Sequence, residues 1–215
     1  MALRLYGHDG SGSAAVEAAL LLAGLPFTPV RAASWAADSA LDALRQANPL
    51  MQIPTLVWDD GTVMTESAAI LIELGLRHPA SGLLPTAPAA RTQALRGLVY
   101  VAANCYAMIG VIDFPTRVIE TPDADELRRI NLGSRARLHA LWDTFADQFA
   151  VAEGAPLFGG VRPGGLDLLA TVVSRWSGSR AHLAASRPAL SALFARVQAH
   201  PVLVPVFERH WPAVV

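Results

Sequence analysis

Lysine is absent from this 215-residue chain: all seventeen cations are arginine, set against eighteen acids for a net charge of −1. That balance offers no basic footprint, so neither nucleic acid nor an anionic lipid surface is an expected partner. Cys105 is the single cysteine, which excludes a disulfide within the chain and makes a cytoplasmic location the expectation. The opening residues lack the long apolar segment of a secretory signal, with Arg4 and His8 breaking the run. No stretch is read as approaching the roughly 20 apolar residues of a membrane span, and no membrane association is expected. The six histidines show no i, i+4 pairing, so no metal site is expected.

What the chain has in quantity is apolar surface. Hydrophobic residues make up 53% and charged residues only 16%, with a mean hydropathy of +0.35. Two readings fit: an alanine-rich helical protein, or a subunit that buries apolar surface against another copy.

Short strands are expected at 3–6 and 27–31, separated by a helix from Ser13 that ends at Gly24 before Pro26. A helix between two strands predicts a parallel pair with a right-handed crossover. Residues 34–47 read as an Ala-rich helical segment. Strands at 55–58 and 62–65 follow, joined at Asp60-Gly61, whose residue types suit the positive φ angles of a two-residue hairpin turn. A helix then starts at Ser67. The Pro- and Gly-rich stretch 81–88 is read as a linker between domains 1–80 and 89–215. The second domain reads as all-helical, with helices near 89–112, 124–150 and 166–176 and two shorter ones beyond, the first carrying Leu190, Leu193, Phe194 and Val197 on one face.

The richest stretch runs from Asn48 to Leu71. Pro54 sits at a strand entry, where its missing N–H is harmless, and is a candidate for a cis peptide bond that would turn the backbone groups of Ile53 outward. Glu66 and Ser67 stand at a helix N-terminus, which favours an anion, while the acid beside it suits an ammonium group. A ligand with a free amino-acid end and a peptide backbone matches these features together. Ile-Pro-Thr-Leu, an acidic turn and Glu-Ser-Ala-Ala-Ile strongly resemble the glutathione-binding segment of the glutathione transferases. The resemblance covers nearly the whole chain and implies a thioredoxin-like β-α-β-α-β-β-α domain followed by an all-helical domain, with glutathione as co-substrate. It implies contacts from Gln52, Ile53, cis Pro54, Glu66 and Ser67, and a cytoplasmic homodimer with a role in detoxification. The family usually opens its buried helix with Ser or Thr and an acid three residues on. Here Gly164 and Asp167 hold those places, and Asp167 reads as a structural cap.

Glutathione chemistry needs a thiolate, and a free thiol near pKa 8.5 is only a few per cent ionised at about neutral pH. The family supplies a Tyr, Ser or Cys donor at or just after the first strand. Three residues answer to that description: Ser11, Ser13 and Tyr6, with Ser11 matching the loop serine of some members. Gly12 aligns with the cysteine used by bacterial members for mixed-disulfide chemistry, so thiol exchange through this loop is disfavoured. Arg31 or Arg45 are candidates for the glycine carboxylate. The electrophile is expected beside the first long helix of the second domain, where Tyr100, Asn104, Tyr106 and Met108, with Phe114 at its exit, suit an apolar molecule. Three functions stay open: conjugation of glutathione to a small apolar electrophile, a glutathione-dependent isomerase or dehalogenase of aromatic breakdown products, and a non-catalytic glutathione-binding scaffold.

Overall fold

Leu3 and Leu5 bury towards one side of the first strand and Tyr6 towards the other, which makes that strand an inner member of a sheet. The computed structural model describes residues 3–149, 151 and 155–212. In it, β1 (Leu3–Gly7), β2 (Phe27–Arg31), β3 (Thr55–Val57) and β4 (Val63–Met64) form a four-stranded sheet in the order β2-β1-β3-β4. β1 and β2 are parallel, with Leu5 opposite Pro29, while β1–β3 and β3–β4 are antiparallel, with Leu5 opposite Leu56 and Val57 opposite Val63. Pro29 thus lies on an edge strand, where its missing donor is tolerated.

The crossover helix α1 (Ser13–Leu22) ends as the sequence suggests. Gly24 takes φ +65°, Leu25 N–H bonds to Leu20 O at 2.9 Å and Gly24 N–H to Leu21 O at 3.0 Å, the paired closure of a Schellman motif. Helix α2 (Leu41–Ala47) covers the Tyr6 and Val57 side of the sheet, with Leu44 fully buried. α1 and α3 (Ser67–Arg77) join the core on the Leu5 and Leu56 side.

Two expectations for this region need correction. Residues 34–40 are not helical and run through turns, in which Ser39 Oγ accepts from the backbone N–H of Ala33 at 3.0 Å and the Asp38 carboxylate pairs with the Arg31 guanidinium at 3.2 Å. The hairpin loop has three residues, Asp59-Asp60-Gly61, not two. Gly61 N–H bonds to Trp58 O, Trp58 N–H bonds to Thr62 O, and Gly61 is the loop's positive-φ residue at +88°. This is a turn plus bulge, in which only the glycine must be left-handed.

Beyond the short turn Pro79–Ser81, Leu83 and Leu84 are buried, with Leu84 against Gly75, while residues 86–88 are exposed. Then come α4 (Pro88–Tyr100), a wider π turn (Val101–Tyr106) and α5 (Ala107–Asp113), one continuous helical run where a single regular helix was expected. Pro88–Asp113 spans 26 residues, with an 18-residue window of mean hydropathy 1.5, long and apolar enough by composition to cross a membrane. The reading that no such stretch exists is therefore wrong for this run, because alanines interspersed with valine and isoleucine lift its mean without forming an unbroken Leu/Ile/Val block.

Helix α6 (Ala124–Gln148) starts in a reciprocal capping box between Asp123 and Glu126 and buries Leu138, Leu141, Trp142 and Phe145. Ala150, the last residue of the expected helix, lies outside the described residues. Helix α7 (Gly165–Val173) has all nine residues buried and packs against α1, α3 and α4, so it joins the sheet layer to the helical layer. α8 (Ser179–Ser186), α9 (Pro188–Gln198) and α10 (Val204–His210) complete the helical layer, one helix more than expected after α7.

Candidate functional site

A cavity of about 590 Å³ opens between the loops at the C-terminal end of β1, the Asn48–Pro54 turn, the start of α3 and the run from Ala102 to Arg117. Asn48 organises the central turn. Its Nδ2 donates to Gln52 O at 3.0 Å and Thr55 Oγ1 at 3.1 Å, and its Oδ1 accepts from Leu50 N–H at 3.1 Å. The Ile53–Pro54 peptide is cis. Thr55 Oγ1 also bonds to Gln52 O at 2.9 Å, whereas the N–H and C=O of Ile53 have no partner among the described residues.

Glu66 caps α3 with φ +63°, a conformation rare for a residue with a side chain, and its C=O accepts from Ile70 N–H at 2.9 Å. The backbone turn leaves both polar side chains at the cavity unengaged: neither the Glu66 carboxylate nor the Ser67 hydroxyl has a hydrogen-bond partner among the described residues. Gln52, Ile53, Pro54, Glu66 and Ser67 all line the one cavity.

The first-loop candidates separate. Tyr6 is 3% exposed and packs with Ala32, Leu44 and Val57, away from the cavity. Ser13 is buried behind the wall, accepting from His8 N–H at 3.2 Å. Ser11 lines the cavity, but its hydroxyl donates to His8 O at 2.6 Å and its Oγ lies 2.8 Å from Ser13 Oγ and accepts from Ser13 N–H at 3.2 Å. It therefore serves the loop's own geometry just ahead of α1.

The loop is also tied to the far end of the chain. Gly10 N–H donates to His210 Nδ1 at 3.2 Å, which leaves His210 Nε2 to donate to Glu17 at 2.9 Å, and Arg209 pairs with the same carboxylate. Burial raises Glu17, but His210 and Arg209 outweigh it and hold its carboxyl below the ordinary 4.5. The folded state then binds its proton later than the unfolded chain, so this stabilisation is present above 4.5 and is lost as pH falls through the lower folded value. The stability advantage of the wild type over Glu17→Gln is expected to shrink on acidification below about 4.5, read by thermal unfolding of both proteins across that range.

On the helical wall, Ala102, Tyr106, Ile109, Gly110 and Asp113 face the cavity. Tyr100, Asn104 and Met108 do not, because two residues' offset turns them about 200° round the helix. Tyr100 Oη instead donates to Leu141 O at 2.9 Å, Asn104 donates to Tyr100 O at 3.2 Å, and Met108 packs on the core. Phe114 lies at the rim with Arg117 stacked over its ring at 4.0 Å. Arg31 is paired with Asp9 and Asp38, Arg45 with Asp42, and neither lines the cavity. Burial pushes the Cys105 thiol up to about 12, and it lies outside the cavity. Among the described residues no group of three or more His, Cys, Asp and Glu is placed to hold a metal. Trp35, Arg117 and Trp176 are wall residues the sequence reading passes over. They come from turns and helix exits, where spacing carries no signal.

Residues 13–76 match the family described as the glutathione S-transferase N-terminal domain. The chain is 33% identical over 142 residues to the uncharacterized GST-like protein YncG of Escherichia coli, an alignment covering 65% of this chain and 67% of that one. A glutathione S-transferase from Pseudomonas fluorescens superposes with a TM-score of 0.74 at 27% identity, covering 96% of this chain and 99% of the other. A glutathione transferase homolog from Sulfitobacter, solved with bound glutathione, reaches 0.82 at 24% identity over 96% and 97% of the two chains, a likeness of fold. Sequence relationship and a shared two-layer fold over almost the full length lead to one conclusion: the chain belongs to the bacterial-type glutathione S-transferases.

Proposed function

We propose that the protein binds glutathione along the Gln52–Ser67 wall and conjugates its thiol to a small apolar electrophile held against the helical wall. One observation carries the reading: Glu66, Ser67 and the backbone of Ile53 bring an acid, a hydroxyl at a helix N-terminus and a free amide pair to one cavity with no hydrogen-bond partners of their own among the described residues. An ammonium, a carboxylate and a peptide backbone are the groups that would satisfy them. Ser11 borders the sulfur's place from the loop, and Tyr106, Ile109 and Phe114 give the electrophile an apolar wall. In this reading residues 1–80 form the glutathione-binding domain, 81–88 the connection and 89–215 the helical domain.

A cytoplasmic homodimer fits the same chemistry. Reduced glutathione requires a reducing compartment, and the exposed Val99 and Leu132 leave apolar surface on α4 and α6 for a second copy. Titration calorimetry with glutathione, then turnover of an activated aryl halide, tests the assignment. Ser67→Ala is expected to weaken glutathione about tenfold or more, the loss of a hydrogen bond to a charged group. Absence of binding removes the reading, and binding without turnover of any electrophile moves it to a non-catalytic scaffold.

A further inference from the structure

Gly12 and Tyr106 meet at the back of the cavity, far apart in sequence. A Cβ built on Gly12 would lie 2.2 Å from Tyr106 Oη, with Cζ and Cε1 next at 3.2 and 3.3 Å. The phenol therefore fills the space that a side chain at position 12 would occupy, at the N-terminus of α1. Its ring is fixed by stacking on Trp176, with centroids 5.6 Å apart and planes 23° apart. Its hydroxyl has no hydrogen-bond partner among the described residues and belongs to a residue of the cavity wall. The Ser11 hydroxyl, by contrast, is engaged within its own loop, 2.6 Å from His8 O and 2.8 Å from Ser13 Oγ.

From these contacts we infer that Tyr106, and not a first-loop serine, donates the hydrogen bond that stabilises the glutathione thiolate. The inference rests on the glutathione reading given above. With its γ-glutamyl end on Glu66 and Ser67 and its backbone on Ile53, the tripeptide turns its cysteine side chain to the Gly10–Gly12 wall, where Tyr106 Oη stands. The thiol's proton leaves to solvent through the open mouth, and the tyrosine keeps its own. Burial pushes the Tyr106 phenol up to about 12, with the Asp113 and Glu66 carboxylates acting in the same direction, so it is a donor throughout the neutral range. The widened π turn that ends at Tyr106 sits in this wall, as such turns often do at working sites.

The test follows the ultraviolet absorbance of bound thiolate against pH in wild type, Tyr106→Phe and Ser11→Ala, each saturated with glutathione. The wild-type complex is expected to titrate below the roughly 8.5 of a free thiol. Tyr106→Phe is expected to raise that midpoint by about one unit or more and to lower kcat/KM at least tenfold, with glutathione Kd changed by less than about threefold. A smaller shift in Tyr106→Phe, or a wild-type complex titrating like free thiol, overturns the inference; a shift seen only in Ser11→Ala returns the role to the loop. If calorimetry finds no glutathione bound to wild type, the functional reading itself falls, and that result is distinct from a bound thiol that ignores Tyr106.

Discussion

Asp167→Ala is expected to lower the stability of the fold by about 3–5 kcal/mol, on the scale set by stripping a buried charge from its hydrogen-bond partners. Asp167 is completely buried and accepts from the N–H groups of Phe158, Gly159 and Gly164, each at 2.8 Å. Alanine leaves all three donors without an acceptor at the start of the helix that joins the two layers. Gly159 beside it is required by space, since a Cβ there would lie 2.5 Å from Arg162 O, while one on Gly164 would sit tightly at 3.3 Å from Leu83 O. Guanidinium unfolding reads the effect as a lowered midpoint with unchanged slope, and a change below about 1 kcal/mol would contradict the argument.

The same residue gives a signed pH dependence. Burial pushes the Asp167 carboxyl up to about 6 from 3.8, with the three N–H bonds pulling the other way. Because the folded state takes up this proton before the unfolded chain does, the group favours the fold most below 3.8, and that advantage is lost as pH rises through about 6. The stability difference between wild type and Asp167→Asn is therefore expected to grow in favour of wild type as pH falls from about 7 to about 4. Glu17 and Asp143, both held low by their partners, titrate in the opposite sense and are common to the two proteins.

Local chemistry made much of this molecule readable. The parallel β1–β2 pair followed from a helix between two short strands, the end of α1 from Gly24, and one wall of the cavity from Ile53, Pro54, Glu66 and Ser67, whose conformations are set by neighbours a few residues away. Reading failed where competing local solutions have similar energies. Asp-Gly suits both a two-residue turn and the three-residue loop with a bulge, and the polar residues Asp38 and Ser39 turned an Ala-rich segment out of helix. It failed again where phase decides. Residue type marks Tyr100, Asn104, Tyr106 and Met108 equally, but only Tyr106 lies on the face that meets the cavity. A contact such as that of Gly12 with Tyr106 leaves no trace in either local sequence, because each residue is ordinary where it stands.

That contact predicts a non-additive pair. Gly12→Ala keeps an allowed backbone, since Gly12 has φ −62° and ψ −14°, so no conformational strain attends the substitution. The new methyl would nevertheless lie 2.2 Å from Tyr106 Oη, and the hydroxyl must move by more than an ångström-scale adjustment can hide. A misplacement of about that size at a reacting group costs on the order of a hundredfold in kcat/KM. In the Tyr106→Phe background the oxygen is gone and the nearest ring atoms stand at 3.2 and 3.3 Å, so the same alanine fits after a small shift. The double variant is therefore expected to be no slower than Tyr106→Phe alone by more than about twofold, a coupling of the kind that double-mutant cycles isolate. Additive losses would mean that Gly12→Ala acts by blocking glutathione directly, and an unimpaired Gly12→Ala would mean that the phenol does not need its place above the start of α1.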